Sequence, residues 1–197
     1  YNEHNKRTKT ARLVEKLAEK DVALVSDAGT PGVNDPGADL VSAASEAGFP
    51  VVSVPGPSSI TASVSVSGIT GDGFVHMGFL PRRRGDRKRA LGAVMESKAP
   101  IVLLEAPHRL LDSLEDLLEV LGDRNVVVCR ELTKLHEEIF RGSVSAAHEH
   151  FREPRGEFCI VVEGAGESLG TASRPESTAI PLLEELRARG ASAKDSV

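Results

Sequence analysis

The chain has 197 residues, 40% of them hydrophobic, with a formal net charge of −5. That composition supplies one substantial apolar core or two small ones, and it excludes both a disordered chain and a surface that is basic all over. No run approaches the roughly 20 apolar residues that span a bilayer, and the opening residues YNEHNKRTKT lack the apolar stretch of a signal peptide. A soluble, untargeted, cytoplasmic protein with no membrane partner is expected. The chain begins at Tyr1 without methionine and ends at Val197 in a helical-looking stretch, which reads as a fragment cut at both ends.

In chain order, Leu13, Val14 and Leu17 recur at helical spacing between Lys6 and Lys20, and the apolar run VALVSDAG that follows predicts a buried strand. Asp35 before Pro36 predicts a helix start, with the acid as N-cap and proline at the first helical position. Gly48 closes that helix ahead of a second strand, VVSVP. A small-residue helix is expected after PGPSS, and FVHMGFLP reads as a strand or strand-like link. A basic helix follows around Asp86 to Ser97, then the strand IVLLEA and a helix with Leu110, Leu111, Leu114, Leu117, Leu118 and Leu121 along one face. The strand VVVCREL, the segment HEEIFRG, a short helix near Val144 to Phe151 and the strand EFCIVVEG complete the alternation. Gly164 to Ser177 has the composition of a linker, ahead of a helix from about Ile180 to Arg189. Alternating helices and fully apolar strands indicate an α/β protein with covered sheets, in two units.

Cys129 and Cys159 lie in the β-rich runs VVVCR and FCIVV, where small buried thiols are expected, and their spacing matches no metal site. The acidic total hides a local cluster, RRRGDRKR, in which Arg82, Arg83, Arg84, Arg87, Lys88 and Arg89 surround one acid, Asp86. Such a cluster suits phosphates, although charge runs are more often merely solvated.

Open α/β sheets bind ligands beyond their strand ends, where loops offer backbone groups and helix N-termini. Two segments have that character: SDAGTPGVNDPG, from Ser26 to Gly37, and VPGPSS, from Val54 to Ser59. Each alone is ordinary turn chemistry. Together they suit a ligand that needs close backbone approach at glycine and a small hydroxyl at a helix start.

The motifs YNEHNK, SDAGTPGVNDPG, VPGPSS, GFLP, EAPHRLLDSL, RELTKLHEE and GEFCIVVEG, in that order from Tyr1 to Gly164, resemble the ribosomal RNA small subunit methyltransferase I family, a branch of the tetrapyrrole methylase fold. The resemblance implies a tetrapyrrole-methylase-like α/β fold of two domains, with S-adenosylmethionine in the cleft between them. The implied activity is methyl transfer to a cytidine 2′-hydroxyl in small-subunit ribosomal RNA. It also implies a homodimer. Residues 1–73 would be the remainder of an N-terminal domain, 74–164 a C-terminal domain, and 165–197 a linker and the start of a helical extension. Asp27, Gly29, Thr30 and Pro31 would belong to the first cofactor loop, and Ser58, Ser59, Ile60 and Thr61 to the second. Arg82, Arg83, Arg84, Arg87, Lys88 and Arg89 would meet RNA. Family members carry an earlier strand and glycine-containing loop upstream of YNEHN, so the chain without them is expected to show the fold without the activity.

A ribose hydroxyl needs a base, or a cation that stabilises the developing alkoxide. The candidates are Glu105, His108 and Arg109 in EAPHRL, and Arg130, Glu131, Lys134 and Glu138 in RELTKLHEE; Glu105 and Glu131 also suit ion pairs with Arg109, Arg130 or Lys134, His108 also suits a helix start, and no general base is assigned. Competing readings are a methylase of the same fold acting on a tetrapyrrole or other small acceptor, and a noncatalytic RNA-binding module. A phosphoryl-transfer hydrolase is disfavoured because Gly29 stands where a second acid after Asp27 would be needed.

Overall fold

The apolar runs assemble where each finds partners on both sides. In the structure, a computed structural model that describes residues 6–27 and 29–166, β1 (Val75–Phe79), β2 (Ile101–Glu105), β3 (Asn125–Arg130), β4 (Glu138–Ser143) and β5 (Phe158–Val162) form one sheet in the order β1-β2-β5-β3-β4. β1 and β2 run parallel, with the helix Arg84–Gly92 between them in sequence, and the other pairs are antiparallel. The central strands are apolar at nearly every position because both faces of the sheet are covered.

One face carries the larger core. Ile101, Leu103, Val126, Val128, Ile160 and Val162 pack there against Leu110, Leu114, Leu117 and Leu121 of the helix Leu110–Leu121 and against Val144 and Ala147 of Val144–His150. On the other face Val102, Val127, Cys129, Cys159 and Val161 meet Ile60 and Val64 of the helix Ser59–Ser67. In chain order the helices are α1 (Lys6–Leu17), α2 (Ala38–Glu46), α3 (Ser59–Ser67), α4 (Arg84–Gly92), α5 (Leu110–Leu121) and α6 (Val144–His150), with a 3-10 turn at Pro107–Arg109. Contacts divide the chain into two units, Tyr1–Ala165 and Gly166–Val197. The YNEHN motif, most of the expected linker and the expected helix from Ile180 lie outside the described residues. No helix among the described residues is long and apolar enough to cross a membrane.

Three expectations are corrected. Residues 22–26 and 51–55 form no strand among the described residues, and Val25 and Val54 are 81% and 88% exposed. Apolarity encodes burial, whereas a strand also needs a neighbour that takes its backbone hydrogen bonds. Asp35 and Pro36 do not start α2. The chain turns through residues 31–37, with Asn34 in the left-handed region, and the helix begins at Ala38 behind Gly37. The basic helix begins at Arg84 and ends at Gly92, giving way to turns before Ser97.

α5 shows how polar groups are accommodated in the larger core. Ser113 and Asp116 fall on its buried face and are fully buried. Ser113 donates to Glu105 Oε2 at 2.6 Å, while Asp116 receives Arg84 at 2.9 Å and Arg87 at 2.6 Å. Arg87 is itself only 3% exposed, so without Asp116 it would be left a buried charge with no ion-pair partner among the described residues, whereas Asp116 also has Arg84. Asp116→Ala is expected to lower stability by about 3–5 kcal/mol in urea titrations. A loss below about 1 kcal/mol, the size of an exposed pair, would contradict that account.

Candidate functional site

The floor of the principal cleft is set by strand register. Leu104 of β2 lies opposite Cys159 of β5, and Cys159 lies opposite Cys129 of β3. Antiparallel partners directly opposite each other face the same side of a sheet, so these three side chains form a row across three strands. The row faces the side covered by α3, and the cleft above it has a volume of about 490 Å³, within the roughly 300–1,000 Å³ usual for small-molecule sites. Over the row lie Gly29, Thr30, Val33 and Asn34 from the first motif loop and Ser58, Ser59 and Ile60 from the second. Phe79, Pro107, His108, Leu132 and Phe158 extend the walls.

The two loops offer different chemistry. Gly29 has a φ of +66°, and the space a side chain would occupy is open, so a ligand can approach the backbone there. In α3 the first intrahelical acceptor is Ser58 O, which receives Ala62 N at 2.9 Å, and the Ser58 side chain makes no cap hydrogen bond. The N–H groups of the first turn are therefore left for an anionic or polar partner. With an apolar floor, such a site suits a ligand that is largely apolar and carries a carboxylate or hydroxyls.

Cys129 and Cys159 are free thiols, both buried. Burial, with Cys159 alongside, pushes the Cys129 thiol up to about 11. Burial also raises Cys159, partly offset by Ser63, whose hydroxyl lies 3.0 Å from its sulfur. The Cys residues are thus neutral apolar floor at physiological pH.

The acid–base candidates have separate fates. Glu105 is 2% exposed; its oxygens take hydrogen bonds from Ser113 and the Ala106 N–H, with Arg109 Nε at 3.5 Å. Arg109 also donates to Leu80 O at 2.6 Å. Glu131, at a positive φ of 51°, accepts from Lys134 and from the Glu157 N–H at 2.9 and 2.8 Å. Those bonds, Lys134 first, hold its carboxyl below the ordinary range, and the same pairing raises Lys134. Arg130 pairs with Glu138 at 3.0 Å. Arg109, Arg130 and Glu138 do not line the cleft; Glu105, His108, Glu131 and Lys134 do. Of these four, only the exposed His108 has no hydrogen bond or ion pair among the described residues.

Gly29, Thr30, Ser58, Ser59 and Ile60 are brought together over the floor, while Asp27, Pro31 and Thr61 are not among its lining residues. The basic cluster is largely neutralised from within. Arg84 and Arg87 meet Asp116, Lys88 meets Glu119, and Arg89 meets Asp86. Arg82 and Arg83 are exposed and form no ion pair among the described residues. The floor cysteines, Asn34 and Phe79 were not singled out from sequence as site residues; the alternation of side chains along β3 and β5 is the signal that marks the cysteines as sharing a face. A further hollow of about 390 Å³, between α1 and residues 22–25, contains neither motif loop.

The family model for Tetrapyrrole (Corrin/Porphyrin) Methylases matches residues 2–148. Solved structures share the fold: the methyltransferase CobJ, at 19% identity with a TM-score of 0.61 over 80% of this chain and 70% of that one, and uroporphyrin-III C-methyl transferase from Thermus thermophilus complexed with S-adenosyl homocysteine, at 17% with a TM-score of 0.57 over 81% and 73%. The molecule is thus an α/β protein of the tetrapyrrole methylase fold.

Sequence relatives narrow the class. Ribosomal RNA small subunit methyltransferase I of Thermotoga maritima is 46% identical over 83% of this chain and 75% of its own length. The proteins of the same name from Halalkalibacterium halodurans and Bacillus subtilis are 44% and 38% identical, over 86% and 100% of this chain. The chain belongs to the ribosomal RNA small subunit methyltransferase I family of tetrapyrrole methylases. It spans about 60% of the length of the Halalkalibacterium relative and 70% of the Bacillus one.

The high thiol pKa carries a prediction for the folded protein. At pH 8 Cys129 is expected to react with iodoacetamide at least about a hundredfold more slowly than a free thiol, with full labelling only after denaturation. Rapid labelling of the folded protein would contradict the neutral floor.

Proposed function

We propose that the complete protein transfers a methyl group from S-adenosylmethionine to the 2′-hydroxyl of a cytidine in small-subunit ribosomal RNA. The observation that carries this reading is the cleft, in which Gly29 and Thr30 stand with the uncapped start of α3 over the apolar row Leu104, Cys159 and Cys129. The residues present fit the cofactor. The free N–H groups of α3, with Ser58 and Ser59, suit its carboxylate, the open backbone at Gly29 admits close approach, and Leu104 and Ile60 suit its flat apolar part. When bound, the cofactor supplies an electrophilic methyl group on sulfur, open to in-line displacement.

The protein's task is then to align the acceptor and receive its proton. His108 is assigned that proton, because Glu105 and Glu131 are committed to hydrogen bonds within the fold. Arg82 and Arg83 are assigned to RNA phosphates, because they are the cluster members without an internal partner among the described residues. Arg87 is withdrawn from the RNA surface by its burial on Asp116. Cytoplasmic location and a homodimer belong to the same reading and rest on family resemblance alone.

Calorimetry of the complete protein with S-adenosylhomocysteine should show saturable binding, and small ribosomal subunits should accept labelled methyl groups. His108→Ala should keep that binding and lower turnover by about 10²–10⁴-fold. Absence of both binding and transfer would reject the reading. The double variant Arg82→Ala/Arg83→Ala should weaken RNA binding and make the slope of log affinity against log salt shallower by about 2. An unchanged slope would remove these arginines from the interface.

A further inference from the structure

The first motif loop reaches the cleft from outside the sheet, and one side-chain contact joins it to an edge strand. His76 of β1 lies 2.5 Å from Asn34 through Nε2 and Oδ1. An amide oxygen only accepts, so the ring carries its proton on Nε2 and donates. Three backbone irregularities meet at this contact. Asn34 has a φ of 60°, Gly78 has a φ of +63°, and the register of β1 on β2 shifts between His76 and Gly78. A Cβ at Gly78 would overlap the Asn34 amide, so the glycine leaves the room into which that side chain settles. Bulges and left-handed residues each disfavour regular structure, and they persist where the surroundings hold them. Asn34 and Phe79, on either side of the contact, both line the cleft.

We infer that Asn34, His76 and Gly78 form a latch that docks the Gly29–Thr30 loop onto β1 and so sets the position of that loop over the cleft floor. Asn34 and His76 are positioning residues. They fix the loop through Val33 N donating to Thr30 O at 3.1 Å, which ties the latched end of the loop to its ligand-facing end. The latch rests on the cofactor reading for its consequence, and on geometry for its existence.

Two measurements on the complete protein test it. In calorimetry with S-adenosylhomocysteine, Asn34→Ala and His76→Phe should each weaken binding by about tenfold, while His76→Gln, which restores an N–H donor, should stay within about threefold of the wild type. In limited proteolysis without ligand, cleavage within residues 29–35 should be faster in the first two variants and near wild type in His76→Gln. Faster cleavage with unchanged affinity would overturn the latch as a positioning device, and so would unchanged cleavage in all three. If the wild type bound no S-adenosylhomocysteine, the cofactor reading would fail, and the cleavage rates would still decide whether the loop is latched. His76→Phe is the variant most open to misfolding; Asn34→Ala, at an exposed residue, tests the same bond from the other side.

Discussion

The rest of the site depends on the register between β2, β5 and β3. Because Leu104, Cys159 and Cys129 stand opposite one another, three strands present one apolar row, and a one-residue slip in any of them would turn that row into the opposite core. The neighbouring row shows what the slip would bring up. Glu105, Phe158 and Arg130 are paired in the next position, and Glu105 is engaged there with Ser113 of α5. The register is pinned from both sides: α3 covers the thiols, through Ser63 and Ile60, and α5 covers the carboxylate.

Charge is used in this fold mainly for internal fastening. Arg84, Arg87 and Lys88 bind α4 to α5 through Asp116 and Glu119, and Lys134 fastens the turn after β3 to the segment before β5 through Glu131 and Glu157. The two fastenings differ in worth. Asp116 and Arg87 are buried, where losing Asp116 strands Arg87, whereas the Lys134 pairs are exposed enough for solvent to weaken them. Of the acid–base candidates lining the cleft, His108 alone has no hydrogen-bond or ion-pair partner among the described residues, and Arg82 and Arg83 stand outside the α4 network.

Much of this was legible in the sequence where the signal is local. β2, β3 and β5 are apolar runs of strand length and α5 repeats leucine at helical spacing, whereas β4 lies largely in the segment HEEIFRG, whose mixed polar sequence carries no strand signal. What was not legible depends on contacts distant in sequence. Asn34 bonds to His76, 42 positions away, and the chain turns there, so Asp35 and Pro36 never become a helix start. Arg87 finds Asp116 and leaves the basic surface that its neighbours in sequence suggested. Val25 and Val54 read as buried because they are apolar, yet they have no strand beside them among the described residues. Within the motif loops, composition marked two segments that border the cleft but could not separate Thr30 and Ser59, which line it, from Asp27 and Thr61, which do not.

The central claim is that the two motif loops and the row Leu104, Cys159 and Cys129 together make the cofactor site. A crystal structure of the complete protein with S-adenosylhomocysteine tests it most directly. The account predicts the ligand over that row, its carboxylate at the start of α3 and its remainder beside Gly29 and Thr30. A ligand bound elsewhere, with this cleft empty, would contradict it.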